Sequence, residues 1–313
     1  MAKGLDFDEL ALGRLALVVT ELATNLVRHA QDGLLLIGIY AQGSIATIEV
    51  IAIDRGPGIR DVEQSLADGV STGGTPGTGL GAVRRMSSQL MIFSKPGFGT
   101  IMVARLTADS SVLDDDTSHA AALNHAGICV AAPGEVVSGD AWACERNGTK
   151  ASLVVADGLG HGPDAAEAAD AAVAVFERHA SVGAKDLVER CHIALRSTRG
   201  AALAAIEIDV EANSVVLCGA GNIAARILSG VEDRSLMSQH GTVGLQVRRI
   251  QEMRYELPAH ALLVVHSDGI LTRWDLKDIP ELLLCDPIML AAHLVRNKLR
   301  GRDDATVLVV RCH

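Results

Sequence analysis

Hydrophobic positions along this chain fall into two blocks separated by a polar seam. Over residues 10–29, Leu15, Val18, Val19, Leu22 and Leu26 recur at helical spacing, which predicts a long amphipathic helix. Two β-rich runs follow at 34–40 and 45–53. The apolar stretch across them is interrupted by Gln42, Ser44 and Glu49, so it reads as two strands and a turn, not as a membrane span. A glycine-rich loop, 69–81, opens a helix through Gln89, and strands at 90–94 and 100–106 bracket the turn from Lys95 to Gly99. In the second block, strands are expected at 128–131, 151–156, 202–208, 214–218, 224–228, 262–266 and 305–311. Ala-rich helices are expected at 163–179 and 185–197, and a further helix at 287–296. Each block reads as α+β, with helices laid on a sheet.

The seam at 107–124 is small, polar and acidic, with three consecutive Asp at 114–116. It is read as a linker, 108–123, between a first domain at 1–107 and a second at 124–313. The length of 313 residues fits two domains at about 150 residues each. With 49% hydrophobic and 21% charged residues, the chain can bury a sizeable core and is neither disordered nor collagen-like. Aromatics are only 3%, so Ala, Val, Leu and Ile must fill the interior. The net charge, 28 − 38 = −10, disfavours broad binding to nucleic acid or anionic membranes and leaves cations or protein partners. Six cysteines without a CxxC pair suit reduced thiols better than a disulfide or zinc framework. No basic-then-apolar leader follows Met1, and the expectation is a soluble, cytoplasmic protein.

Three features of the first block bear chemistry. Glu21 and Asn25 stand four apart on the long helix and share a face. A carboxylate beside a carboxamide oxygen can orient an attacking group and ligate Mg²⁺, although such a pair by itself is an ordinary polar face. Asp54-Arg-Gly-Pro-Gly58 comes straight after a strand, where the Asp can accept a hydrogen bond from an amino group such as adenine's and glycine permits close backbone approach. Ser71–Gly81, STGGTPGTGLG, then runs into a helix and offers free N–H groups to an anion. It matches neither the P-loop nor the dinucleotide fingerprint.

Taken in this order, ELATNLVRHA, DRGPGI and GTPGTGLGAVRRM resemble the nucleotide-binding boxes of the GHKL ATPase/kinase family, most closely its anti-sigma-factor serine kinase branch of the RsbT and RsbW type. The resemblance covers about residues 8–106 and implies a Bergerat α/β sandwich. It implies Glu21 as general base, Asn25 as Mg²⁺ ligand and Asp54 as adenine partner within a glycine box holding Gly56 and Gly58. Gly77, Gly79 and Gly81 would cradle the phosphates of ATP, and Thr100 would lie near the adenine. The implied reaction transfers the ATP γ-phosphate to a serine or threonine of a STAS-domain protein, with room for a homodimer. Twenty residues precede Glu21, where the family places a further strand and helix; a half that only senses nucleotide or binds a partner is the alternative.

The second block carries Asp in four turn-like or strand-end settings: Ser138-Gly-Asp140, Asp157-Gly-Leu-Gly-His-Gly162, Ser267-Asp-Gly269 and Arg302-Asp-Asp-Ala-Thr306. A carboxylate ending a buried strand is costly unless solvated, hydrogen-bonded or holding a cation. One Asp-Gly pair is an ordinary turn, but four such motifs, two of them capping strong hydrophobic strands, favour a hard-metal site. The pattern resembles the PPM-type metal-dependent serine/threonine phosphatases of the SpoIIE and RsbX branch, over about residues 124–311, with GAGN at 219–222 as a further family turn. The implied fold is a β-sandwich flanked by helices. Asp140 and Asp157 would bridge two Mn²⁺ or Mg²⁺ ions, Gly158 would offer its carbonyl, and Asp268 and Asp303 would complete the set, with Asp304 the alternative to Asp303. The implied chemistry is direct attack of water on phosphorus. His161, in the site loop, could donate to the leaving oxygen or hold the loop by a hydrogen bond.

Overall fold

The structure, a computed structural model, describes residues 7–42, 45–66, 79–108, 122–247 and 249–313. The chain divides into two compact units, Met1–Asp115 and Asp116–His313. Most of the expected linker, 109–121, lies outside the described residues.

In the first unit, helix α1 (Glu9–His29) is capped by Asp8, whose Oδ1 accepts the Ala11 amide at 2.7 Å. Ala11, Val18 and Leu22 are its buried residues, spaced as one helical stripe. Among the described residues α1 alone is long and apolar enough to cross a membrane by length and composition; here its buried stripe packs on a sheet. That sheet joins β1 (Leu34–Gln42), β2 (Ile45–Asp54), β3 (Gln89–Lys95) and β4 (Gly99–Thr107), all antiparallel in the order β1-β2-β4-β3. Short helix α2 (Val62–Leu66) and helix α3 (Gly79–Met86) lie between β2 and β3. Ile48, Val50 and Ala52 of β2 and Met102, Ala104 and Leu106 of β4 alternate onto the face that meets Val18, Leu22 and Val83. Each fully buried Val or Leu there contributes about 1.5–3 kcal/mol. On the opposite pleat, Glu49, Arg105 and Gln89 stand in register across three strands, with Arg105 donating to Glu49 at 2.7 Å and to Gln89 at 2.9 Å.

The second unit stacks two antiparallel five-stranded sheets. One contains β5 (Leu123–Val130), β10 (Ala224–Leu228), β11 (Asp233–Leu236), β15 (Leu262–His266) and β16 (Ala305–Cys312), ordered β11-β10-β15-β16-β5. The other contains β6 (Asp140–Asn147), β7 (Lys150–Gly158), β8 (Ala201–Asp209), β9 (Ser214–Ala220) and β14 (Glu252–Glu256), ordered β14-β9-β8-β7-β6. A small ladder pairs β12 (Gly241–Thr242) with β13 (Gln246–Val247). Strand β8 shows why its sequence reads as one apolar run. Ala204, Ile206 and Ile208 face the core between the sheets, while Leu203 and Ala205 face helices α4 (Pro163–His179) and α5 (Ala184–Ala194) outside. Helix α6 (Pro287–Lys298) packs on β5 and β16 and is buried from Pro287 to Arg296. The architecture is the expected one: a helix-covered sheet in the first unit and a β-sandwich flanked by helices in the second.

Differences from the sequence reading cluster at edges. Strands β6 and β14 close the two edges of one sheet, and neither was anticipated, nor were β11, β12 and β13. DAWACERN and EMRYE expose charges toward solvent, as edge strands do, so they lack a clean apolar pattern. The helix expected through Gln89 ends at Met86, because Ser88 already donates its amide to Arg105 of β4 at 2.8 Å. The second Ala-rich helix ends at Ala194 and continues as a 3₁₀ turn, Leu195–Ser197.

Gly99 has φ +96°, and a Cβ there would lie 2.2 Å from the Asp54 carbonyl oxygen. Gly99→Ala should destabilise the first unit by about 2 kcal/mol. The expected reading is faster amide hydrogen exchange across β2 and β4, with exchange in β7 and β8 unchanged.

Candidate active sites

In the second unit, Asp140 begins β6 and Asp157 sits one residue from the end of β7, and the two are direct partners in the antiparallel register. Like charges so opposed repel. The Gly158 amide donates to the Gly139 carbonyl at 3.0 Å and fixes the pair at the sheet's end. Ser267, Asp268 and Gly269 follow β15, and Asp303 and Asp304 precede β16, its neighbour in the other sheet. Within that sheet, Asp304 Oδ1 accepts the Ala132 amide at 2.8 Å and ties the segment before β16 to the one after its neighbour β5. A Cβ on Gly139 would come 2.7 Å from Asp304 Oδ2, and one on Gly269 would come 2.0 Å from the Asp304 carbonyl. Gly158 is similarly confined, since its Cβ would lie 2.0 Å from the Ala165 carbonyl of α4. These glycines let four chain segments close around one acidic space.

Electrostatics report that closure. Burial pushes the Asp157 carboxyl up to about 8, helped by the charges of Asp140, Asp268, Asp303 and Asp304. Burial pushes Asp140 up to about 7, with Asp304 and Asp303 adding to it and hydrogen bonds from Ser267 and Thr306 opposing. Oδ2 of Asp140 and Oδ2 of Asp304 are buried without a hydrogen-bond partner among the described residues. Two orphaned carboxylate oxygens in one acidic space fit a hard divalent cation. Among the described residues no three His, Cys, Asp or Glu side chains close into a ready cage.

The ligand candidates differ in setting. Asp303 Oδ1 accepts the amide of Asp304 at 3.0 Å, while Asp304 is the deeper residue and carries the orphaned oxygen. Asp268 is oriented by Asn222, which donates Nδ2 to its Oδ2 at 2.6 Å. The sequence reading gave no role to Asn222, Ser267, Thr306 or Glu135; the first three stood inside the GAGN, SDG and RDDAT motifs, and nothing pointed to Glu135. His161 Nδ1 meets Glu135 Oε1 at 2.7 Å. His266 is buried beside Ser267, its Nδ1 against the Ser267 carbonyl at 2.8 Å, and burial lowers its pKa.

In the first unit, Glu21 and Asn25 lie half-buried on α1. A Cβ on Gly79, the first residue of α3, would sit 3.1 Å from Glu21 Oε2, so the start of α3 is set against that carboxylate. Asp54, ending β2, is the register partner of Thr100 at the start of β4. Its Oδ1 accepts the Gly56 amide at 2.6 Å, and Thr100 Oγ1 pairs with Ser94 Oγ at 2.9 Å. Gly56 is buried between Asp54 and the His29 carbonyl, and Gly58, at φ +74°, lies against the Lys95 carbonyl. Gly81 is buried in α3, and Gly77 lies outside the described residues. The fold thus brings Glu21 to Gly79 and Asp54 to Thr100.

The family model of Stage II sporulation protein E (SpoIIE) matches residues 147–313. The chain belongs to the SpoIIE family. The model of the histidine kinase-like ATPase domain matches residues 1–112, so this SpoIIE-family chain is a fusion of the two kinds of domain. Over 100 residues it is 35% identical to the serine/threonine-protein kinase RsbT of Bacillus subtilis strain 168, covering 32% of this chain and 75% of that protein. Over 90 residues it is 31% identical to the phosphoserine phosphatase RsbX of the same strain, covering 29% of this chain and 45% of that protein. The alignment therefore spans less than half of RsbX. A crystal structure of RsbX in complex with magnesium superposes with a TM-score of 0.54 at 21% identity, over 61% of this chain and 96% of that one, and shows the shared fold. A structure from work on the bacterial stressosome superposes with a TM-score of 0.57 at 29% identity, over 60% of this chain and 99% of that one. The second unit is a PPM-type phosphatase domain.

The raised Asp140 and Asp157 pKa values give a pH test. Both lie above the unfolded carboxylate value, so their contribution to stability is complete below about pH 4 and is lost as pH rises through about 7 and 8. The metal-free protein should lose roughly 5–10 °C of Tm between pH 5 and 8.5, and millimolar Mn²⁺ should restore it at the upper end. Calorimetric melts across this range check both.

Proposed function

We propose that this SpoIIE-family protein is a metal-dependent phosphoserine/phosphothreonine protein phosphatase fused to an ATP-binding serine kinase-like domain, and that its substrates are STAS-domain proteins of a partner-switching pathway. The observation that carries the phosphatase half is the closure of Asp140, Asp157, Asp268, Asp303 and Asp304 around one space with two orphaned oxygens. Asp140, Asp157, Asp268, the Gly158 carbonyl and Asp303 or Asp304 would hold Mn²⁺ or Mg²⁺. Bound ions would offset phosphoryl charge and acidify water for in-line attack. The chain's own residues hold the frame. Asn222 orients Asp268, Ser267 and Thr306 orient Asp140, and the glycines keep the approach to phosphorus clear. Cys218 is a poor nucleophile, because burial pushes its thiol up to about 12.

In the kinase-like half, Glu21 would act as general base toward the accepting hydroxyl, Asn25 would ligate Mg²⁺, and Asp54 with Thr100 would receive the adenine. The 35% identity to RsbT supports this assignment. The likeness to a stressosome structure supports a STAS-domain substrate. Opposed transfer and hydrolysis in one chain would only consume ATP unless partner or ligand state selects between them, so a switch is the economical reading. Its place is the cytoplasm, in keeping with six free cysteines.

Asp157→Ala and Asp268→Ala should each reduce Mn²⁺-dependent phosphate release to background while far-UV circular dichroism stays unchanged. Asn222→Ala, acting through Asp268, should cost about 10–100-fold in metal affinity or turnover. Undiminished turnover in either Asp variant would sink the metal assignment.

For the first unit, titration calorimetry of Mg²⁺·ATP should show binding to the full chain and none to Asn25→Ala. Glu21→Ala should keep binding and lose phosphotransfer to a STAS protein. An absence of ATP binding to the wild type would leave this half as a partner-docking module.

A further inference from the structure

Beside the acidic site, three exposed arginines stand on two segments that the backbone clamps together. Leu271 donates its amide to the Lys298 carbonyl at 2.8 Å, Ile270 pairs with Leu299 as an antiparallel bridge, and Arg300 donates its amide to the Gly269 carbonyl at 2.8 Å. Four residues further on, the chain returns to the same glycine, since a Cβ on Gly269 would lie 2.0 Å from the Asp304 carbonyl oxygen. The turn 300–304 therefore leaves Gly269 and comes back to it, bending at Gly301, whose φ is +68°. Its deeper end carries Asp303 and Asp304, and its outer part carries Arg300 and Arg302, both exposed. Along the chain the Cα of Arg302 is only about 3.8 Å from that of Asp303. Arg273, the third cation, is exposed between two fixed neighbours. Leu271 is held as above, and Trp274 is buried against Arg226, whose guanidinium carbon lies 3.9 Å from the indole centroid and whose Nη1 donates to the Trp274 carbonyl at 3.0 Å.

Ordinary reasons for these charges fall short. None of the three forms an ion pair among the described residues, whereas Arg226 is engaged by Asp233. The next acid along from Arg273 is Asp275, which turns its Oδ1 to the Lys277 amide at 3.2 Å. The arginines do not neutralise the acidic site either, because the strongest charges acting on Asp157 are four carboxylates. Lys298 differs, since it complements the C-terminal end of α6. We propose that Arg273, Arg300 and Arg302 form a docking rim for the chain on either side of the phosphorylated residue, and that this rim selects phosphoprotein segments rich in Asp and Glu. With a net charge of −10, the protein repels an acidic partner at long range. Three guanidiniums beside the site reverse that sign locally and steer an acidic segment towards the metal ligands. Their forked donors match carboxylates in pairs of hydrogen bonds. Leu271, 44% exposed and two residues from Arg273, adds an apolar contact. The rim makes and breaks no bond; it acts on association.

This surface rests on the phosphatase reading above, and the two fail differently. The full chain with Mn²⁺ is given p-nitrophenyl phosphate and phosphoserine peptides of equal length, flanked by Asp and Glu, by Ser and Gln, or by Lys. Wild type should favour the acidic peptide over the neutral one by about 10-fold in kcat/KM at low salt, mostly through KM. That preference should shrink to about twofold near 0.5 M NaCl. Replacing all three arginines (Arg273→Gln, Arg300→Gln, Arg302→Gln) should bring the two peptides within about twofold at low salt. Arg300→Glu combined with Arg302→Glu should invert the order and favour the Lys-flanked peptide, a gain that a misfolded variant cannot show. A wild type without preference, or a preference that survives the triple replacement, overturns the rim alone. So does an equal loss on p-nitrophenyl phosphate, because the arginines would then act on the phosphoryl group itself. Failure of the wild type on every ester overturns the phosphatase reading and the rim with it.

Discussion

Repulsion between two carboxylates set directly across an antiparallel ladder governs the second unit. Asp140 and Asp157 share a register position where apolar or oppositely charged partners would be favourable, and Asp268, Asp303 and Asp304 add to the same field. Burial makes the repulsion worse, because the charged forms lose solvent that the hydrogen bonds from Ser267 and Thr306 to Asp140 only partly replace. Such a cluster is a standing cost that only protons or cations can relieve. The rest of the unit holds it in place: two sheets pack face to face, Asp304 ties the segment before β16 to the one after its sheet neighbour β5, and the helix layers cover the outer faces.

Small residues make that packing feasible. Helix α4 buries Ala165, Ala166, Ala168, Ala169 and Ala172, and so approaches the sheet closely enough for Ala165 to touch Gly158. Larger side chains on this face would push α4 outward and open the loop that carries His161. Composition and chemistry are thus linked. A chain with 3% aromatics must pack with Ala, Val, Leu and Ile, and close packing of small residues draws backbone segments together around the acidic space.

The first unit meets a similar problem with a different device. Asp54 and Thr100 are brought together by strand register, whereas Glu21 and Gly79 are brought together by helix packing. Glycine at 56, 58 and 99 is demanded by neighbouring backbone, the last two also by positive φ. Both units therefore put acidic side chains at strand ends, Asp54 in the first and Asp140 and Asp157 in the second, and clear the space beside them with glycine. Strand ends suit this use, because the ladder fixes the backbone on one side and leaves the chain free to turn on the other.

Much of this was legible in the sequence because it is local. Helix α1 follows from apolar spacing, β10 and β15 from short β-rich runs, and α4 from its alanine pattern, with bounds that match the expected ones closely. Asp140, Asp157, Asp268 and Asp54 were visible as acids at strand ends or turns. The edge strands β6 and β14 were not visible, because half of each faces solvent and their pairing is decided by a neighbour distant in sequence. The same holds for the supporting residues. Glu135 meets His161 across 26 positions, Asn222 meets Asp268 across 46, and Asp304 meets Ala132 across 172. The sequence alone determined which residue types end which elements, since that rests on spacing and propensity within a few residues. Only the tertiary structure decided which of those ends share one space, because charge, burial and hydrogen bonding act through distance in the fold and not along the chain.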